Sequence, residues 1–291
     1  MNHDVPAEVA IPLPVRLRLG RAAAQTIADR DGLDLLHIKG DAVDLSLRPH
    51  PTPGTDIDVL VRPRHLSGFD AALRAEGWRV YTTFAYGSPF EHAQTYTHEL
   101  WGYLDVHRFF PGVGLDPDHA FDRLWRTRGS MDFGGVSCPV PSVPAQAAIL
   151  VLNAARSRPG SRADVDRLWR RADAATRASI EREVSALDAH VALAAATGGL
   201  RTYRSARDYH LWRVVSEGGS RLEEWWGRLR AADSLGARAR IVVRAPLVNV
   251  PHLEHELGRR PTPGEIVREF FARPARGAIE LVRRLTRRRS S

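Results

Sequence analysis

The chain has 291 residues, 43% of them hydrophobic and 26% charged, the balance of an ordinary globular protein rather than a fibrous or disordered one. No apolar run approaches the roughly 18–20 residues that span a bilayer. Residues 1–25 lack the basic-then-apolar order of a secretory signal. A single cysteine, Cys138, excludes an internal disulfide framework and predicts a reducing, cytoplasmic setting. The formal charge of +8 is unevenly placed: residues 1–143 hold 14 basic and 18 acidic residues, residues 144–291 hold 28 and 16. This split predicts an acidic site early in the chain and an anion-facing surface later.

In chain order, residues 14–31 read as an amphipathic helix and the short apolar run 33–38 as a strand. Lys39, the only lysine among 42 basic residues, ends that strand and precedes Gly40. A second helix is predicted over about 41–47, opened by Gly40, and the Pro/Gly-rich stretch 48–54 is a connector. Residues 55–63 alternate as a strand, 65–78 form a helix stopped near Gly77, and strands follow at about 78–84, 94–99 and 102–108, the last of them antiparallel. The prolines of 138–145 close this α+β part. The rest is helical: an apolar helix at 145–157, a capping pattern at Ser161–Asp164, and a last helix with Thr262 as cap, Pro263 next and Glu265 three after the cap. Two units are therefore expected, 1–143 and 144–291, with the active site in the cleft between them. The final nine residues hold five arginines, a basic tail suited to anionic partners.

Three carboxylates carry the chemistry. Asp56 and Asp58 sit two apart on a strand, so both project from one face. Two adjacent carboxylates repel unless a cation lies between them. Asp105 occupies a later strand, with His107 two residues on and on the same face. Hard oxygen donors of this kind suit Mg²⁺, with Mn²⁺ as an alternative. Two such ions bridged by carboxylates serve in-line displacement at phosphorus. Lys39 and Gly40 supply the complement: a compact ammonium and a backbone that phosphate can approach. Other motifs do not survive inspection. The histidines of 252–256 match no zinc spacing, 111–117 places Pro117 at the third glycine of a dinucleotide fingerprint, and no P-loop is present. The Arg-rich turn 156–162 at the junction is a contact to substrate phosphates or a solvated loop.

The ordered set Ile38-Lys39-Gly40, Thr55-Asp56-Ile57-Asp58-Val59 and Leu104-Asp105-Val106 resembles the nucleotidyltransferase superfamily related to DNA polymerase β. Within it, the set is most similar to a bacterial family of uncharacterised nucleotidyltransferases, and more distantly to AbiEii-type toxin nucleotidyltransferases. The likeness covers about residues 33–108. It implies a mixed-sheet catalytic domain, with Asp56, Asp58 and Asp105 on Mg²⁺ and Lys39 and Gly40 at the phosphates. Thr55, His107, Arg48 and Asp41 are secondary candidates. Two departures stand out: Asp41 replaces a phosphate-binding Ser found in many members, and the nearest upstream Arg is Arg48. The implied reaction moves a nucleoside monophosphate from an NTP, ATP first among them, to a small molecule, peptide or protein. A tRNA 3′ end is an alternative acceptor, and a metal-free, non-catalytic nucleotide-binding or interaction module is an alternative of another class.

Overall fold

A computed structural model describes residues 11–49, 54–156, 162–244, 247–270 and 272. Helix α1 (Leu13–Arg30) leads into β1 (Leu35–Ile38), and β2 (Asp56–Val61) and α2 (Leu66–Ala75) follow. Then come β3 (Arg79–Thr82), the one-turn α3 (Phe84–Gly87), β4 (Ala93–His98) and β5 (Gly102–His107). The five strands form one mixed sheet in the order β1-β2-β5-β4-β3. Only β2 and β5 run parallel; the other neighbours are antiparallel. This is the α+β class that the sequence predicts.

Strand alternation sends the two faces of this sheet to different destinations. Ile57, Val59, Val61, Leu104 and Val106 pack with Leu17, Ala24, Ile27 of α1 and Phe69 and Leu73 of α2. Helix α1 approaches closely because of Gly20: a Cβ there would stand 2.5 Å from Ile57 Cδ1. The opposite face carries Leu36, Ile38 and Leu60 into a second cluster.

That second cluster joins the two halves of the chain. After α4 (Pro117–Arg126), a hairpin of β6 (Gly129–Phe133) and β7 (Val136–Val140) leads into α5 (Val143–Ala154). Helix α5 is apolar around nearly its whole circumference, the pattern of a helix buried on all sides. It contributes Ala148, Ile149, Val151 and Leu152 to the cluster that holds Leu36, Ile38 and Leu60, together with Ile180 and Val184 of α6 (Ala174–Ala186) and Ala192 of α7 (His190–Thr197). Hydrophobic burial therefore runs continuously across residue 143. Beyond lie α8 (Tyr209–Glu217), α9 (Arg221–Ala231), α10 (Leu235–Arg244) and α11 (Val250–Leu257). Helix α11 returns to the sheet: His252 and His255 pack edge-on against Tyr81 of β3, and Asn249 donates to Thr82 Oγ1 at 2.8 Å. The last described helix, 263–270, starts as predicted, with Thr262 and Glu265 bonding reciprocally.

One expected element is absent. No helix forms over 41–47; a single 3-10 turn, Gly40–Ala42, is followed by irregular chain. Lys39 and Gly40 both have positive φ, +54° and +53°, which bends the backbone away from a helical start. Asp44 then folds back onto Ser46, accepting from its backbone N–H and its hydroxyl. Gln146 Oε1 accepts from Asp44 N, Arg167 donates to the Leu47 carbonyl, and Arg48 forks onto Asp164. The loop is thus pinned to the helical half. The capping pattern at Ser161, the connector residues 50–53 and the Arg-rich tail lie outside the described residues, as does most of the 156–162 turn, of which Arg156 and Arg162 remain.

Candidate active site

The parallel pairing of β2 and β5 assembles the acidic face. It sets Asp58 beside Asp105 and Leu60 beside His107. Asp56 lies two residues before Asp58 on the same face. On the other side of β2, Ile38 pairs with Asp58, so Lys39 leaves β1 next to that carboxylate. Its ammonium stands 2.5 Å from Asp58 Oδ1. His107 Nε2 donates to the same oxygen at 2.8 Å; a carboxylate only accepts, so this nitrogen carries the ring proton. Across β4, Thr95 Oγ1 donates to Asp105 Oδ1 at 2.6 Å. The donor atoms of Asp58, Asp105 and His107 all lie within 4.8 Å of one another.

The electrostatics are those of carboxylates short of positive charge. Burial pushes Asp58 up, but Lys39 and the His107 hydrogen bond outweigh it and hold the carboxyl well below its usual range. Burial and the charge of Asp58 raise Asp56. The same two causes, in that order, push Asp105 up to about 6. Burial, with Lys39 beside it, lowers His107 to about 4, so the ring is neutral at physiological pH. Lys39, Arg21 and Arg156 all act on this face, yet Asp56 and Asp105 remain raised. Hard oxygen donors whose mutual repulsion is incompletely relieved fit a divalent cation such as Mg²⁺.

Two arginines complete the site, and each acts on different atoms. Arg21 of α1 is fully buried. Its Nε pairs with Asp41 at 2.6 Å, and its two terminal nitrogens donate to the carbonyls of Lys39 and Asp58, both at 3.3 Å. One guanidinium thus ties the β1 end to β2. A side chain at Gly40 would place its Cβ 2.8 Å from Arg21 Nη2, and the φ of +53° also favours glycine there. Arg156, just beyond α5, is held by Asn153 Oδ1 and His92 Nε2, both at 2.7 Å. His92 Nδ1 in turn bonds Ser88 Oγ at 2.5 Å. The charges of Asp58 and Asp105 act on Arg156, opposing the burial that lowers it to about 10. Its Nε is buried with no hydrogen-bond partner among the described residues, as is His107 Nδ1.

Of the residues singled out from sequence, Asp56, Asp58, Asp105, Lys39, Gly40 and His107 come together. Thr55 is exposed at the mouth of β2. Arg48 is spent on Asp164 and Asp41 on Arg21, so both hold the loop in place. The longer helix expected to start at Gly40 does not form, and a 3-10 turn, Gly40–Ala42, begins there instead. Arg21 was missed, although it interrupts the apolar stripe of Leu17, Ala24 and Ala28 on α1, and a charge within a buried stripe is a legible signal. The 156–162 turn contained Arg156, but nothing in its spacing distinguished that arginine from its neighbours.

No protein-family model matches the chain, and no curated protein matches it in sequence. Among solved structures, the antibiotic-resistance factor ANT(2'')-Ia is similar to it at 18% identity and a TM-score of 0.37, covering 67% of this chain and 95% of that one. The lincosamide antibiotic adenylyltransferase LnuA, bound to lincomycin, is similar at 15% identity and a TM-score of 0.36, over 57% and 96%. An antigenic nucleotidyltransferase-like protein from Paracoccidioides brasiliensis is similar at 14% identity and a TM-score of 0.35, over 66% and 89%. Likenesses this distant assign the chain neither a family nor a substrate.

Proposed function

We propose that this protein is a metal-dependent nucleotidyltransferase, moving a nucleoside monophosphate from an NTP to a small-molecule, peptide or protein acceptor. The observation that supports it most is the register of β2 on β5, which puts Asp58 against Asp105 with the Lys39 ammonium on the same carboxylate. Asp56, Asp58 and Asp105 are the residues that would hold Mg²⁺, which when bound neutralises charge at the reacting phosphate and polarises the attacking oxygen.

The chain's own residues supply the rest. The acceptor oxygen bonds to the α-phosphorus as the bond from phosphorus to the pyrophosphate oxygen breaks, and the acceptor's proton passes to Asp105. Lys39 and Arg156 place positive charge beside this carboxylate face, where the departing pyrophosphate gathers negative charge. His107 orients Asp58 through Nε2 and stays neutral, so it adds no charge that would compete with a cation. Arg21 fixes the spacing of the Lys39 and Asp58 backbones.

Incubation with each α-labelled NTP, Mg²⁺ and pooled acceptors tests the reading by transfer of label. Asp56→Asn and Asp58→Asn should each abolish it. Label transfer at wild-type rate by both variants overturns the proposal. Nucleotide binding that requires Mg²⁺ and is lost in Asp58→Ala counts against a metal-free, non-catalytic module.

A second reading, transfer to a tRNA 3′ end, draws on a groove of about 570 Å³ lined by Arg204, Arg207, Arg230 and Arg238 with Trp226, which is 56% exposed. Guanidiniums beside an open indole suit phosphates and a stacked base. This reading requires tRNA binding that weakens steeply with salt.

A further inference from the structure

We infer that the acceptor is a small organic acid, an anionic head on an apolar body, held in the pocket next to the carboxylate face. This rests on the transferase reading for the word acceptor; the site itself is argued from its own side chains. The pocket has a volume of about 550 Å³, in the range that encloses a small molecule. Two histidines next to its wall link it to the carboxylate face. Glu91 immediately precedes His92, Arg108 immediately follows His107, the two histidine rings are 5.0 Å apart, and His107 is bonded to Asp58.

One wall is apolar: Phe90 lies 4.7 Å from the buried Trp212, with Val191 and Leu211 alongside. The other is cationic. Arg108, Arg228 and Arg240 line it, and Arg244 reaches it from α10. Four guanidiniums there surround Glu91, and Glu224 stands 4.0 Å from one of them, Arg228. Glu91 is bonded to Arg228 at 2.5 Å, but Arg108 and Arg244 stand 3.9 and 3.8 Å away, beyond hydrogen-bonding distance. The Arg108 Nε is buried without a partner among the described residues. Burial lowers the proton affinity of Arg108; Glu91 opposes this, and Arg244 and Arg240 add to it. Glu91 holds its place at φ +54°, a strained backbone for a non-glycine residue. Of the other acids lining the pocket, Asp208 accepts from the Trp212 indole at 2.9 Å, and Asp188 follows α6. Planar guanidiniums such as Arg108 and Arg244, held beyond hydrogen-bonding distance of Glu91, can recognise a carboxylate or phosphate, and the apolar wall receives the body attached to it. Glu91 occupies the position that such a head would share.

Calorimetric titration of the full-length protein, without nucleotide or Mg²⁺, tests this with three probes of one shape: 2-naphthyl phosphate, 2-naphthol and 2-naphthylmethylamine. The phosphate should bind at least about tenfold tighter than either partner, from one or two charge-assisted bonds. Glu91→Gln should strengthen phosphate binding, and Arg244→Gln, at a position 40% exposed, should weaken it. Equal binding of the three probes, or weaker phosphate binding in Glu91→Gln, overturns the inference. Full displacement of the phosphate probe by Mg²⁺-ATP also overturns it, by giving the arginines to the nucleotide. Label-transfer assays are independent of this titration, so a failure of nucleotidyl transfer and a failure of the acid pocket are separately visible.

Discussion

The two faces of the β2–β5 pair differ by a one-residue offset and by everything else. Ile57, Val59, Leu104 and Val106 look toward α1 and α2, where they are nearly inaccessible to solvent. Asp56, Asp58, Asp105 and His107 look the other way, toward Lys39 and Arg156. Alternation thus separates the packed side chains from the charged ones along the same twelve residues of β2 and β5. The first face gains free energy from burial. The second loses some of it by holding carboxylates together, a cost typical of functional sites.

Substitutions that cross this division sharpen it. Asp58→Asn carries the largest expected effect: label transfer falls by at least about a hundredfold, the size seen when preorganised electrostatic groups are removed. It also destabilises, because the Lys39 ammonium loses its carboxylate. Asp105→Asn removes a buried like charge instead. It should lose transfer to a similar degree while raising the melting temperature of the metal-free protein by about 2–4 °C, as expected for roughly 1 kcal/mol in a chain of this size. A drop in melting temperature for Asp105→Asn would show that the carboxylate is already compensated.

On the apolar face, Val59→Ala should cost about 1–3 kcal/mol in urea denaturation and leave the rate per folded molecule unchanged. Asp41→Ala lies between the two classes. It leaves the buried Arg21 without its partner, a loss of about 3 kcal/mol, and lets the Lys39 carbonyl shift. A large fall in transfer with unaltered stability would instead give Asp41 a direct part in nucleotide binding.

The smallest effect concerns pH. His37 is buried on β1 beside Gln25, whose Oε1 lies 3.0 Å from its Nε2; burial, then Arg21, lowers its proton affinity. The unfolded chain binds that proton first, so the contribution of His37 to stability is intact above about pH 6.5 and is lost as pH falls below it. His37→Gln should flatten the decline of melting temperature between about pH 7 and 5.

The sequence alone determined the acidic face and its cation. Two aspartates spaced by two on an apolar strand share a face whatever else the chain does, because strand geometry has period two. The lone lysine ends the strand before them. Amphipathic patterning likewise fixed α1, the five sheet strands to within a few residues, the apolar α5 and the Thr262 cap. The hairpin of β6 and β7 was not foreseen, since its residues alternate weakly and several are exposed. The helix expected after Gly40 failed because long-range partners, Gln146, Asp164 and Arg167, compete for that loop and hold it in another shape. Only the tertiary structure decided which strand neighbours β2, and so whether Asp105 meets Asp58. Only it decided that Asp41 belongs to Arg21 and that Glu91 stands among four arginines. Those pairings join residues from 17 to more than 150 positions apart. Local propensity carries no information about them, because each joins elements that meet only in the folded chain.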